Sequence, residues 1–248
     1  VTVLVESNRV LSRAVDFCCS LMVQNIFKEN GISIILSSKI KGLSSESGKI
    51  KGVMLDDGSL CPCDLVVVGK GVKPNVELAR NSGIKVDRGI IVDNNMKTSL
   101  KDVYAAGDVA QAHSLLDGDC ELFTLWPDAI EQGKIAAYHI LGIPRRYIGG
   151  ISMNSVEFYG MPFISIGKIT ENVLPNCSVH INKNDEKKVY RKIVVRNNRI
   201  LGAVFAGDIN YAGMVYWDIK SGRRIEAPQK YLTREGLEEL YLIRNKQL

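Results

Sequence analysis

The run Thr98-Ser-Leu-Lys-Asp-Val-Tyr-Ala-Ala-Gly-Asp108 sets a carboxylate immediately after a glycine. The apolar stretch Val103 to Ala106 reads as a strand, so Gly107 and Asp108 are expected at its carboxyl end. In a doubly wound sheet, ligands bind beyond the carboxyl ends of the strands, and Asp108 would project into that crevice. A carboxylate there accepts hydrogen bonds from a chain of hydroxyls, and the ribityl chain of a flavin is one group it suits. Gly107 has no side chain to hold such a ligand away. The same residues also read as a strand closed by a capped turn, and the motif alone leaves both readings open.

A second carboxylate has a comparable setting. Val1-Thr-Val-Leu-Val-Glu6 is an apolar strand ending in an acid,. A dinucleotide-binding unit uses such an acid to bind the adenosine ribose hydroxyls, with a Gly-rich turn about twenty residues before it. No such turn precedes Glu6, so the chain is expected to begin mid-fold, as the C-terminal part of a longer protein. A plain strand-end role for Glu6 is the alternative. Further along, Trp126-Pro-Asp128 opens a helix. Proline suits a first helical turn, and an Asp near it complements the positive end of the helix dipole. Such a helix start would stabilise negative charge at the N1–C2=O edge of a reduced flavin. An ordinary capped helix is the other reading.

Composition narrows the function classes. The 248 residues are 46% hydrophobic and 24% charged, as in globular proteins, and suffice for one large or two to three small domains,. The net charge of +5 is spread out, with no basic block carrying interleaved aromatics, so nucleic acid is not an expected partner,. No stretch reaches the length and apolarity of a membrane span, and no membrane partner is expected. The six cysteines and three histidines show no paired Cys-x-x-Cys spacing, so no metal site is expected,. Cys61-Pro-Cys63 reads as structural thiols in a short polar hairpin rather than a redox pair. Unpaired thiols and the lack of a signal peptide lead to the expectation of a cytoplasmic location.

The positioning elements follow from periodicity. A helix is expected over about Ser12 to Asn30, stopped by Gly31. A short strand Ile32 to Leu36 comes next, then hairpin strands Lys39 to Ser44 and Lys49 to Leu55, with Asp56-Asp-Gly58 as a turn. Leu65 to Val68 reads as a buried strand ending in Gly69-Lys-Gly71. A short helix from Val76 to Asn81, a strand at Ile90 to Val92 and a helix from Trp126 to about Leu141 complete the alternating region. Beyond residue 150, strands near Ser155 to Tyr159, Phe163 to Ile169, Val189 to Val195 and Ile200 to Phe205 predict an antiparallel sheet. Asn197-Asn198 is its hairpin turn, and Lys183-Asn-Asp-Glu-Lys-Lys188 is a solvated hairpin tip. Helices are expected over Tyr211 to Ser221 and Thr233 to Arg244. The fold class is α/β: the strand–helix–strand–meander–strand order is the back half of a partial doubly wound, nucleotide-binding domain, and a separate α+β domain follows. The sequence changes character after residue 70 and again after residue 150, dividing the chain into 1–70, 71–150 and 151–248.

Four segments together carry a family likeness: the strand ending in Glu6, Asp64-Leu-Val-Val-Val-Gly-Lys-Gly-Val-Lys-Pro-Asn75, the run ending in Asp108, and Trp126-Pro-Asp-Ala-Ile-Glu-Gln-Gly-Lys-Ile-Ala-Ala137. Across nearly its whole length the chain resembles the flavoprotein pyridine nucleotide–disulfide oxidoreductase superfamily. Tyr190-Arg-Lys-Ile-Val-Val through Gly202-Ala-Val-Phe-Ala-Gly-Asp208 resembles its branch of NADH–rubredoxin reductases and nitrite reductase flavin modules. The resemblance implies partial doubly wound FAD/NAD-binding (Rossmann-like) domains, NAD-binding over 1–70 and FAD-binding over 71–150, followed by an α+β C-terminal interface domain over 151–248. It implies hydride transfer from NADH to FAD, then electron transfer to a small molecule or to a redox protein such as rubredoxin. It implies that Glu6 binds the NAD ribose, disfavouring NADPH by like-charge repulsion, with Arg9 and Arg13 nearby as possible phosphate partners. Gly69 and Gly71 would let backbone approach the nicotinamide nucleotide. Gly107 and Asp108 would meet the ribityl chain, and Trp126 and Ala129 the flavin pyrimidine edge. Glu131 would lie on the nicotinamide side. Phe158 and Tyr159 would lie against the flavin, with core packing as their alternative.

The departures are the Gly-rich phosphate loops, which in this family precede the segments present here. The chain alone is therefore expected to bind neither FAD nor NAD tightly and to be inactive. Exposed sheet edges would favour a homo-oligomer. Two alternatives remain: the flavin module of a nitrite reductase large subunit, and a non-catalytic dimerisation or binding fragment.

Overall fold

The computed structural model describes residues 1–169 and 175–245. The chain opens with β1 (Thr2–Leu4), helix α1 (Phe17–Glu29) and β2 (Ser33–Ile35), and the two strands pair in parallel. α1 starts later than its apolar spacing predicts. Asp16 caps it by accepting from the Cys19 N–H at 3.1 Å, and the Arg9 guanidinium donates to the carbonyls of Ser12 and Val15. Those two bonds hold residues 12–15 as a turn rather than a first helical turn.

An antiparallel meander follows: β3 (Ile40–Glu46), β4 (Lys49–Leu55) and β5 (Leu60–Pro62). Cys61 therefore lies within a strand, and the described cysteines are all free thiols. The expected strand Leu65 to Val68 does not form. Leu65, Val67 and Val68 are 78%, 86% and 75% exposed, and the segment has no ladder partner among the described residues. Apolar, β-branched sequence favours extended backbone, but a strand exists only where a neighbour takes its N–H and C=O groups.

Next come α2 (Glu77–Asn81), β6 (Ile90–Ile91), β7 (Ala110–His113), β8 (Cys120–Leu122) and α3 (Trp126–Ile140). β6 and β7 are parallel, and β7 and β8 antiparallel. Here too the structure corrects the sequence. Val103 to Ala106 is not a strand: among the described residues it makes a single bridge, Lys97 to Tyr104, and the Ala105 N–H donates to the Met96 carbonyl at 3.1 Å. Gly107 and Asp108 form the turn that leads into β7, instead of ending a strand. The reason is again the missing ladder partner. Ala105, Ala110, Ala112, Ile135 and Tyr147 share the core that holds this turn against α3.

The remaining sheet is antiparallel and five-stranded, with β9 (Met153–Phe158), β10 (Met161–Gly167), β11 (Ser178–Asn184), β12 (Val189–Arg196) and β13 (Arg199–Ala206) in the order β11-β12-β13-β10-β9. Asn197 and Asn198 both have positive φ (50° and 58°), the geometry a two-residue hairpin needs,. The tip at residues 185–188 joins β12 to β11, an edge strand too polar to stand out in the sequence. Helices α4 (Ala212–Ser221) and α5 (Arg234–Asn245) cover one face, where Ala203, Phe205 and Ile193 meet Val215, Ile219 and Leu237. The opposite face is covered by α1: Val204, Ala206 and Phe163 pack with Val15, Cys19 and Val23. Burial on both faces explains the unbroken apolar run of β13. The Tyr190 hydroxyl donates to Asp16 Oδ2 at 2.6 Å inside this second core.

Candidate functional site

Asp108 lies on an open cleft of about 450 Å³ together with Thr124, Trp126, Ala129 and Ile130. The turn before it is tightly specified. Gly107 adopts φ +82°, a region that favours glycine, and its N–H donates to Gln132 Oε1 at 2.8 Å,. A β-carbon on Gly107 would stand 3.7 Å from that of Ala129, so the turn faces the first turns of α3 directly.

α3 begins at this cleft without a side-chain cap, with Pro127 in its first turn. The N–H groups of a first turn have no intrahelical acceptor, and with the helix dipole they favour an anionic oxygen. Behind them a buried polar chain fixes the helix. Gln132 Nε2 donates to the Tyr147 hydroxyl at 3.5 Å, and that hydroxyl donates to Asp128 Oδ1 at 3.1 Å. Burial raises the Asp128 carboxyl above its usual range, although the Tyr147 hydrogen bond and the Lys220 charge oppose this. The cleft can therefore present acceptors for hydroxyls at Asp108 and donors for an anionic edge at the start of α3.

A second group of residues gathers beyond the end of β1. Glu6 Oε2 accepts from Lys70 Nζ at 3.0 Å, and this hydrogen bond and charge, with a smaller contribution from Lys39, hold the Glu6 carboxyl below the usual range. Gly69 and Gly71 flank Lys70, and Gly71 adopts φ +79°. Arg9 is committed to the 12–15 turn, while Arg13 is exposed.

Glu131, Phe158 and Tyr159 are not among the residues that line the Asp108 cleft. Glu131 is paired with Lys220 of α4 at 2.9 Å. Phe158 packs edge-on against Phe27 of α1, centroids 5.0 Å apart, in the core between α1 and the sheet. Tyr159 is exposed, 6.3 Å from Phe27 by ring centroids. Sequence reasoning missed Thr124, Ile130, Lys70, Gln132 and Tyr147. One signal was present for Gln132: it lies one helical turn beyond Asp128, on the face that Ile135 and Ala136 bury, where an unpaired amide is costly,.

The family described as pyridine nucleotide-disulphide oxidoreductase matches residues 1–133, and the rubredoxin NAD+ reductase C-terminal domain matches residues 153–222. The chain is 28% identical over 231 residues to the NAD(P)H nitrite reductase of Bacillus subtilis, covering 93% of this chain and 28% of that protein. It is 32% identical over 210 residues to the assimilatory nitrate reductase electron transfer subunit of the same organism, covering 84% of this chain and 26% of that one. Among solved structures, the covalent putidaredoxin reductase–putidaredoxin complex superposes with a TM-score of 0.83 at 23% identity, over 98% of this chain and 57% of that one. The chain thus spans about a quarter of the two curated relatives and little more than half of the structural neighbour. The match over residues 1–133, with the second over the C-terminal sheet, shows that the chain belongs to the pyridine nucleotide-disulphide oxidoreductase family.

Proposed function

We propose that this chain is the nucleotide- and flavin-proximal part of an NAD(P)H-dependent FAD oxidoreductase that passes electrons to a protein or small-molecule acceptor. The observation that carries this reading is the Asp108 cleft, where a carboxylate on a glycine turn faces the uncapped start of α3. Both features fit the group. FAD, when bound, takes hydride from a reduced nicotinamide and releases electrons onward. Asp108 accepts hydrogen bonds from the ribityl hydroxyls, and the first turn of α3 stabilises negative charge at the pyrimidine edge. Glu6 accepts from the ribose hydroxyls of the nucleotide, with NADH favoured over NADPH.

The similarity to the B. subtilis nitrite reductase over 93% of the chain supports the flavin module of such an enzyme as the second reading. The likeness of residues 153–222 to the rubredoxin reductase C-terminal domain supports a small redox protein as acceptor. The 248 residues contain no Gly-x-Gly-x-x-Gly loop, which supports weak cofactor binding and no NADH turnover by this chain alone,. The free thiols fit a reducing cytoplasm,.

FAD titration followed by tryptophan fluorescence tests the reading, because Trp126 is 80% exposed at the cleft. Weak saturable quenching is expected, with a clear loss in Asp108→Ala. Identical titrations of the two proteins would remove the cleft as the flavin site. NADH oxidation by the purified chain would overturn its inactivity.

A further inference from the structure

A second cavity, of about 510 Å³, opens where the β12–β13 hairpin meets the C-terminal end of α4. It shares no lining residue with the Asp108 cleft. Its apolar lining comes from Leu115, Leu116, Leu201 and Ile219, and its polar lining includes Arg196, Arg199 and Arg224.

The arginines are placed against electrostatic preference. Arg196 and Arg199 are direct cross-strand partners at the end of the hairpin, and Arg199 is bridged in turn to Arg224. Like charges directly opposite one another destabilise a sheet. None of the three makes an ion pair with a carboxylate among the described residues. The fourth cation, Lys220, is already neutralised by Glu131. Arg199 also has a local role, since its guanidinium lies 3.7 Å from where a β-carbon on Gly222 would stand, at the negative end of α4,. That role accounts for one arginine. Arg196 and Arg224 have no such account.

Three arginines and an apolar wall lining one concave site match an anion with several oxygens and a carbon body,. We infer that this cavity binds an organic phosphate, its charged head held by Arg196, Arg199 and Arg224 and its carbon skeleton laid on Leu115, Leu116 and Ile219. A phosphate monoester carries close to two negative charges at neutral pH and three acceptor oxygens. It would offset the like-charge opposition that the hairpin otherwise sustains.

The test is isothermal titration of the 248-residue chain with phenyl phosphate, inorganic phosphate and benzoate. Phenyl phosphate contains no nucleoside, so the outcome is separable from nucleotide recognition at Glu6. One saturable site is expected, tighter for phenyl phosphate than for the other two. Arg196→Gln and Arg224→Gln should each weaken it by about tenfold, the equivalent of one charge-assisted hydrogen bond. Asn197→Asp is nearly isosteric, and its side chain tolerates the left-handed turn. It places a carboxylate at the cavity and should weaken binding at least as much, with a melting temperature no lower than the wild type's, since it opposes the same arginine charges,. A control pair, Lys28→Gln with Lys134→Gln, should leave binding intact. The inference is overturned by the absence of saturable binding, by equal affinity for benzoate or inorganic phosphate, or by an equal loss in the control pair.

Discussion

The backbone N–H of Gly107 and the side-chain oxygen of Gln132, 25 residues apart in sequence, are joined by a 2.8 Å hydrogen bond. Through it a turn with no sheet partner among the described residues is registered against α3, and Asp108 lines one cleft with the start of that helix.

Gln132→Leu is therefore expected to leave the Gly107 N–H without its acceptor. The cost is about 1–3 kcal/mol, read as a fall in melting temperature of roughly 2–4 °C per kcal/mol for a chain of this size. Quenching by FAD at Trp126 should weaken as well, although Gln132 does not line the cleft. Unchanged stability would show that the turn is held by its other contacts.

Asp108→Asn separates charge from geometry in the same cleft. An amide keeps one acceptor oxygen but loses the charge that strengthens hydrogen bonds from hydroxyls. FAD binding is expected to fall between the wild type and Asp108→Ala. Equal loss in both variants would assign the role to the charge alone.

Nucleotide preference should respond in opposite directions to the two partners of the Glu6–Lys70 pair. Removing the acid in Glu6→Ala should narrow any NADH-over-NADPH preference, because repulsion of the 2′-phosphate disappears. Lys70→Ala should widen it by leaving the carboxylate charge unopposed. Comparative titrations with the two nucleotides read both ratios. A preference unmoved by either change would take Glu6 out of the nucleotide site.

Lys168, the residue after β10, pairs with Asp117 in the loop before β8 at 2.8 Å and with Glu121 within β8 at 2.5 Å. Burial pulls the Lys168 ammonium down, but its two acidic partners outweigh this and hold its pKa above the usual lysine value. The stabilisation is present below the ordinary lysine pKa and is lost as pH rises through the raised value. Asp117, held low against its own burial chiefly by the Lys168 hydrogen bond, loses its share as pH falls through its depressed value,. Lys168→Met should cost about 1–3 kcal/mol near neutrality by leaving two partly buried carboxylates unpaired. The gap from wild type in chemical unfolding should shrink at both pH extremes. A gap independent of pH would mean the loss is one of packing.

Asp128 gives the reverse slope. Its folded pKa is raised by burial, so its ionised form costs stability that returns as pH falls through that value,. Asp128→Asn keeps an acceptor for the Tyr147 hydroxyl and is expected to flatten this part of the stability profile. A variant whose profile matches the wild type would assign the slope to another group.

Local sequence was enough to specify α3, the β3–β4 hairpin and four of the five strands of the antiparallel sheet, because periodicity, caps and turn residues act within a few positions of one another,. Two of its failures, Leu65 to Val68 and Val103 to Ala106, are apolar runs read as strands. Propensity is local, whereas a ladder requires a neighbour that no local pattern reveals. The site divides along the same line. Asp108 and Trp126 were legible from motif and helix chemistry and Ala129 from the family resemblance, and the fold gathers them on one cleft. Gln132 and Tyr147 hold that cleft from 25 and 40 residues beyond Gly107 respectively, through a buried chain of hydrogen bonds. Only the tertiary structure could decide that Lys70 faces Glu6, that Phe158 belongs to a core with α1, and that three arginines ring one cavity. Each is a contact between distant segments, fixed by packing and charge in space rather than by spacing along the chain.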